Sequence, residues 1–135
     1  MKPNEEAANE WLEKAERDLQ VAMLCGREKF YDAALFHCQQ AAEKALKGFL
    51  AFHDKPIEKT HRVERLLEQA KRIEPKLAKL KNTGLLSEYA VLSRYPDSSL
   101  DITKRAYTKG LSIAKQVTKQ VLAAMKNAKK TRKKT

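Results

Sequence analysis

Three polar residues recur at helical spacing within an alanine-rich stretch of the chain, and their chemistry suits an anion. Gln40, Glu43 and Lys47 lie three or four positions apart, so a helix carries them along one side. Gln40 could offer a hydrogen bond and Lys47 a positive charge, to an anionic ligand or to a second subunit. Glu43 and Lys47 also have the order of a stabilising ion pair. The stripe is therefore either a solvated helix face or a polar cleft between helices.

A second polar group, Arg94, Tyr95 and Asp97, lies in a loop whose turn is restricted by Pro96. Arg94 has the planar donor fork that binds phosphates and carboxylates, and Tyr95 could stack on a base. In an antiparallel bundle this loop can lie over one end of the helix that carries Glu43. The predicted ligand site contains Gln40, Glu43, Lys47, Arg94, Tyr95 and Asp97. The alternative is a structural lock, in which Arg94 pairs with Asp97 or Glu43.

The other reactive side chains make no recognisable catalytic or metal centre. His37, His53 and His61 lack the spacing at which two histidines of one helix bind a metal ion. His61 follows Thr60, a predicted helix N-cap, and is expected to have a local structural role. Cys38 lies on an apolar helix face and is interpreted as a core residue. The chain also lacks a Gly-rich phosphate loop. We therefore predict no catalytic residue, no bound metal and no cofactor.

The composition is typical of one helical domain. The chain has 135 residues, of which 42% are hydrophobic and 33% charged, with only four Gly and four Pro. Few helix breakers and abundant Ala, Leu, Lys and Glu favour helices. No apolar run approaches the roughly 18–20 residues of a membrane span, and the N-terminus has no apolar signal segment. Two cysteines make no disulfide framework. We expect a cytoplasmic protein with no membrane partner.

Positive charge is concentrated at the C-terminus. The formal net charge is +11, from 28 basic and 17 acidic residues, and residues 126–135 contain six basic residues and no acidic one. Such a segment repels itself, so we predict a domain at 1–125 and a disordered or frayed tail at 126–135. The tail either solubilises the protein or contacts RNA, DNA or another polyanion through phosphates. Its candidate contact residues are Lys126, Lys129, Lys130, Arg132, Lys133 and Lys134.

Apolar spacing predicts helices throughout the chain and no strand. The predicted helices cover about residues 5–25, 32–53, 60–74, 85–93 and 102–126, with a further turn or two at 76–82. Gly26 is expected to end the first helix and Asp32 to cap the second. The second helix is apolar over well over half of its circumference, so several neighbours must pack around it. Long helices with short connections form an antiparallel up-and-down bundle of four to five helices, and the apolar excess predicts a homodimer.

Several motifs together resemble one known family. They are "YDAA" at 31–34, "QQAAEKALK" at 39–47, "TH" at 60–61 and "RYPD" at 94–97. This set resembles the HEPN family, small all-α domains of bacteria and archaea, over about residues 9–125. The resemblance implies a four- or five-helix bundle that is usually a homodimer. It also implies a minimal nucleotidyltransferase as a possible partner, in a toxin–antitoxin or related system.

One feature of the family is missing from this sequence. A large branch of HEPN proteins are metal-independent ribonucleases, in which four to six residues separate an Arg from a His. Arg94 is at the matching place, but positions 99–101 are Ser, Leu and Asp. Without that imidazole no group is evident for acid–base work on the ribose 2′-hydroxyl. The resemblance therefore implies a non-catalytic protein that binds a nucleotide-like or anionic ligand, or a nucleotidyltransferase. The alternatives are an atypical ribonuclease toxin and an RNA- or DNA-binding module that uses the basic tail.

Overall fold

The computed structural model describes residues 3–92 and 103–134, and it is helical with no strand in these two ranges. The α-helices are α1 (Pro3–Arg27), α2 (Tyr31–Phe52), α3 (Val63–Ile73), α4 (Thr83–Leu92) and α5 (Lys104–Lys134), and a 3-10 helix (Pro75–Lys79) lies between α3 and α4. The predicted all-α fold is confirmed. None of these helices is long and apolar enough to cross a membrane.

Helices α1 and α2 form a tightly packed antiparallel pair. At one end the Asn4 side-chain amide donates to the Phe52 carbonyl at 2.6 Å. About one turn from this end, a Cβ at Gly48 would lie only 3.2 Å from the backbone oxygen of Ala8, so the absence of a side chain permits the close approach. The connection turns at Lys29, whose φ is 65°.

The ends of these two helices differ from the sequence prediction. Gly26 lies inside α1, which ends one residue later at Arg27. Asp32 lies within the first turn of α2, and Phe30 is the N-cap, with no side-chain hydrogen bond. Asp32 therefore contributes only its negative charge, which favours a helix N-terminus.

Helix α2 is the centre of the bundle. It contacts α1, α3, α4 and α5, and most of its length is buried. The largest fully buried side chains include Leu35, Leu46, Phe49, Phe52, Leu66, Leu86, Val117 and Val121. The apolar surface of α2, which predicted a second subunit, is thus covered by helices of the same chain. A homodimer remains a prediction, but it needs another surface.

Helix α5 is longer than the sequence predicted. It continues to Lys134, whereas the sequence predicted a helix end near residue 126 and a disordered tail beyond it. Met125 is buried and Ala128 packs against the core, so the bundle still contacts the first turn of the lysine-rich segment. This contact could not be predicted from the sequence of residues 126–135, because one alanine among lysines gives no apolar periodicity.

Candidate functional site

The carboxylate of Glu43 lies inside the protein rather than on a solvated helix face. Glu43 is only 3% exposed. Its Oε1 accepts a hydrogen bond from Gln39 Nε2 at 2.9 Å and lies 3.1 Å from His61 Nδ1. Its Oε2 accepts from Lys47 Nζ at 3.2 Å. The predicted ion pair between Glu43 and Lys47 therefore forms, and it is part of a buried network between α2 and the segment before α3.

Gln39 completes this network, although the predicted ligand site did not include it. Its Nε2 also donates to the backbone carbonyl of His61 at 2.7 Å, so both amide hydrogens have acceptors. Its Oε1 accepts from Gln40 Nε2 at 2.8 Å. The two glutamines thus anchor the chain that leads into α3. Adjacent glutamines on a buried helix were the available signal, since polar amides in a core need partners.

Lys47 is turned inward. Its ammonium lies 5.7 Å from the centre of the Trp11 ring and pairs with Glu43, and little of the side chain is exposed. A cation over an aromatic face is held by the ring quadrupole as well as by its carboxylate. An anionic ligand could bind Lys47 only by breaking the ion pair between Lys47 and Glu43. Glu43 and Lys47 therefore pair with each other, whereas Gln40 donates to Gln39 and contacts the pair only through it.

The other half of the predicted ligand site cannot be placed. Arg94, Tyr95, Pro96 and Asp97 belong to residues 93–102, outside the described part of the chain. Neither the shared cleft nor the structural lock is thus tested. The candidate tail residues, from Lys126 to Lys134, all lie on α5.

A second charged cluster joins α1 to α2. Lys44 Nζ donates to Asp18 Oδ2 at 2.6 Å, and His37 Nδ1 lies 2.8 Å from Asp18 Oδ1. Asp18 is buried, so its charge needs these partners. The cluster locks the two helices in register and presents no free cation.

Free positive charge is found in a groove between α5 and the segment that leads into α4. The groove has a volume of about 820 Å³. Its cations are Lys81, Lys104, Arg105 and Lys109, and its neutral polar residues are Asn82, Thr108, Ser112 and Gln116. None of the four cations pairs with a carboxylate of the described residues. Like charges without counterions make a positive potential that attracts anions.

A second cleft, of about 470 Å³, lies on the same side of α5, between α5 and the end of α2 together with the 3-10 helix. Lys76 and Lys79 contribute charge to it, and Glu74 is its one acidic residue. Neutral hydrogen-bonding residues recur along this side of α5 at Thr108, Ser112, Gln116, Gln120, Asn127 and Thr131. We call this row, with its lysine and arginine rim, the α5 groove. At 1.5 Å per residue the row is about 35 Å long.

The α5 groove has a simple origin in the sequence. Helix α5 contains eleven Lys or Arg residues and no Asp or Glu. The sequence prediction attributed the basic excess to a tail, because half of it lies after residue 125. The row of Thr, Ser, Gln and Asn did not indicate a binding groove, since such residues are common on any exposed helix face.

An apolar groove of about 620 Å³ lies between α1 and α5, lined by Met23, Leu24, Tyr107 and Leu111 with Gln20 and Arg27. Leu24 is 55% exposed. Tyr107 also stacks on Tyr31, with ring centroids 5.7 Å apart. An exposed apolar groove of this kind is typical of a protein contact.

Cys38 is buried in the core of the bundle. Burial raises the pKa of the Cys38 thiol to about 12, so the thiol stays protonated at neutral pH, as a core residue would. No group of three or more His, Cys, Asp or Glu side chains in the part of the chain that the structure covers could hold a metal ion.

The architecture and the buried network define a small helical-bundle domain with a positively charged long helix. Residues 8–127 match the family model of the HEPN domain, so the chain belongs to the HEPN family. The predicted family is confirmed.

Two solved structures are similar along most of the chain. The crystal structure of TT1696 from Thermus thermophilus has 26% sequence identity and a TM-score of 0.74, and the match covers 86% of this chain and 96% of that one. The structure of ST0689, an archaeal HEPN homologue, has 26% identity and a TM-score of 0.62, with coverage of 93% and 99%. No curated protein matches the chain.

Proposed function

We propose that this HEPN protein is a non-catalytic binder of nucleotide or nucleic-acid phosphates, and that the α5 groove is its binding surface. The observation that carries the proposal is the set of four cations, Lys81, Lys104, Arg105 and Lys109, that have no carboxylate partner in the described residues. Phosphate oxygens are bound by Lys and Arg and also accept hydrogen bonds from Thr, Ser and Gln side chains. All of these groups line the α5 groove.

The buried network on α2 is a poorer place for an anion. Lys47 is already paired with Glu43. Removing the cation would leave a buried carboxylate without its partner, at a cost of about 3–5 kcal/mol. A ligand that binds Lys104, Arg105 or Lys109 on α5 breaks no ion pair with a described carboxylate and so incurs no such cost. The α5 groove therefore replaces the stripe of Gln40, Glu43 and Lys47 as the favoured anion site.

The dimensions of the α5 groove distinguish two ligands. A mononucleotide would fit in the part of about 820 Å³ near the start of α5. A single strand would continue along the row of neutral residues toward Thr131, where Lys126 and Lys130 supply further charge. A strand would then bind more tightly than a mononucleotide and with a steeper salt dependence.

Fluorescence anisotropy with a short single-stranded RNA, with ATP as competitor, tests the proposal. The double variant Arg105→Ala/Lys109→Ala should lower the slope of log K against log salt by about 0.7–0.9 for each lost phosphate contact. The matched control Lys14→Ala/Arg17→Ala removes the same charge from the exposed face of α1. Equal losses in both variants would mean general attraction to a basic protein and would contradict a groove. Gel analysis of the RNA afterwards should show intact strands.

A protein partner is the second candidate function, because of the apolar groove between α1 and α5. One candidate partner is a second copy of the chain, which would form a homodimer through this groove. The family resemblance adds a minimal nucleotidyltransferase, in a cytoplasmic system of the toxin–antitoxin kind. Co-expression with the product of an adjacent nucleotidyltransferase gene, if one exists, tests that partner by co-purification of the two chains. An atypical ribonuclease gains no support from the described residues, since Arg94 lies outside them.

A further inference from the structure

His61 combines an exposed ring with a buried anchor. Its side chain is 85% exposed, yet its Nδ1 lies 3.1 Å from Oε1 of Glu43, which is almost fully buried. Lys47 Nζ donates to Oε2 of Glu43, and a carboxylate paired with an ammonium can only accept hydrogen bonds. Nδ1 therefore carries the hydrogen of the neutral ring. The lone pair is left on Nε2, on the exposed side.

Holding the loop in place does not require this contact. Gln39 Nε2 already binds the backbone carbonyl of His61 at 2.7 Å, and the Arg62 backbone N–H donates to Thr60 Oγ1 at 3.1 Å. Both bonds would persist if residue 61 had another side chain. The bond between Glu43 and Nδ1 fixes the tautomer and the direction of the imidazole instead. A carboxylate behind a histidine is the usual way to orient a reactive ring nitrogen.

Two features that can attract a negative group directly follow His61 in the chain, Arg62 and the N-terminus of α3. Arg62 pairs with Glu64 at 2.7 Å, but the Arg62 side chain is largely exposed, so this pair is weak and the guanidinium can turn to another anion. Helix α3 begins at Val63, two residues after His61, and a helix N-terminus attracts negative groups. Both features belong to the segment that carries His61, so both could stabilise a phosphoryl group on this ring.

We propose that His61 accepts a phosphoryl group at Nε2 and that Glu43 is its positioning residue. The lone pair of Nε2 attacks the phosphorus of a reactive phosphoryl donor, such as a phosphoramidate or an acyl phosphate. A new N–P bond forms, and the bond from phosphorus to the leaving group breaks with its electron pair. With phosphoramidate, ammonia leaves. Nδ1 keeps its proton, and the positive charge that develops on the ring is balanced by Glu43. This inference is independent of the α5 groove, which His61 does not line.

The chain contains a matched control. His37 Nδ1 is likewise held by a carboxylate, Asp18, at 2.8 Å, but the His37 side chain is only 29% exposed. His61 and His37 thus have the same kind of anchor and differ in how much of the side chain is exposed. If anchoring and access together make the site, only His61 should react.

Treatment of the full chain with phosphoramidate, followed by intact-mass spectrometry, tests the proposal. The wild type should gain one acid-labile phosphoryl group. His37→Asn should gain it at the same rate, and His61→Asn should not gain it. Glu43→Gln keeps the shape of the anchor without its charge and should slow the reaction roughly tenfold.

Three results would overturn the assignment. They are an unlabelled wild type, labelling that survives in His61→Asn, and equal labelling of His37 and His61. An unchanged rate in Glu43→Gln would remove the positioning role of Glu43. Because the His61 ring is exposed, His61→Asn should fold normally, and circular dichroism of each variant checks this.

Discussion

At the scale of single residues, the buried charge of Glu43 determines what substitutions of its partners do. Lys47 compensates this charge, its ammonium lies over the Trp11 ring, and little of its side chain is exposed. Replacing Lys47 therefore removes two contributions, charge and packing. Methionine keeps the length of the stem and removes only the charge, so it isolates the electrostatic part.

Lys47→Met should lower the free energy of unfolding by about 3 kcal/mol, because it leaves a buried carboxylate without its cation. The double variant Glu43→Gln/Lys47→Met should recover much of that loss, since no buried charge remains. Urea unfolding of the wild type, both single variants and the double variant measures the coupling. If the double variant lost as much stability as the two single variants together, the two charges would not compensate each other.

At the scale of helices, spacing predicted contacts within α2 better than contacts between elements. The four-residue interval from Glu43 to Lys47 predicted their ion pair correctly. The burial of Glu43 was not predictable in the same way, because the segment that covers it ends 18 residues later, at His61. Periodicity within one helix describes a polar stripe but does not say which distant segment packs on it. The α5 groove was missed for a related reason, since its other wall is the segment around Lys81.

The end of α5 is the element at which composition and packing disagree. Deleting residues 126–135 removes Ala128, which packs on the core, and should cost up to about 1 kcal/mol, or about 3 °C in Tm. Deleting only 132–135 keeps Ala128 and should leave Tm unchanged. Both truncations should weaken RNA binding, the longer one more strongly. Thermal unfolding by circular dichroism compares them, and equal Tm values for the two truncations would contradict a packed helix end.

At the scale of the whole molecule, the two sides of α5 differ in chemistry. One side carries the α5 groove, whose cations have no carboxylate partner among residues 3–92 and 103–134, and its neutral polar row. The other side forms the apolar groove with α1. Under the proposed function, this separation would let a polyanion and a protein partner bind at the same time. It also means that the two surfaces can be altered independently, because no residue lines both.

The apolar groove between α1 and α5 is the surface on which we expect a second copy of the chain. Leu24→Glu places a charge there, and burying that charge between subunits would cost several kcal/mol, so the variant should be monomeric. Val91→Glu is the control, because Val91 lies on α4 and both residues are 55% exposed. Size-exclusion chromatography with light scattering at micromolar concentration should give a dimer for the wild type and the control. A monomeric wild type would remove the homodimer, and a dimeric Leu24→Glu would move the interface to another surface.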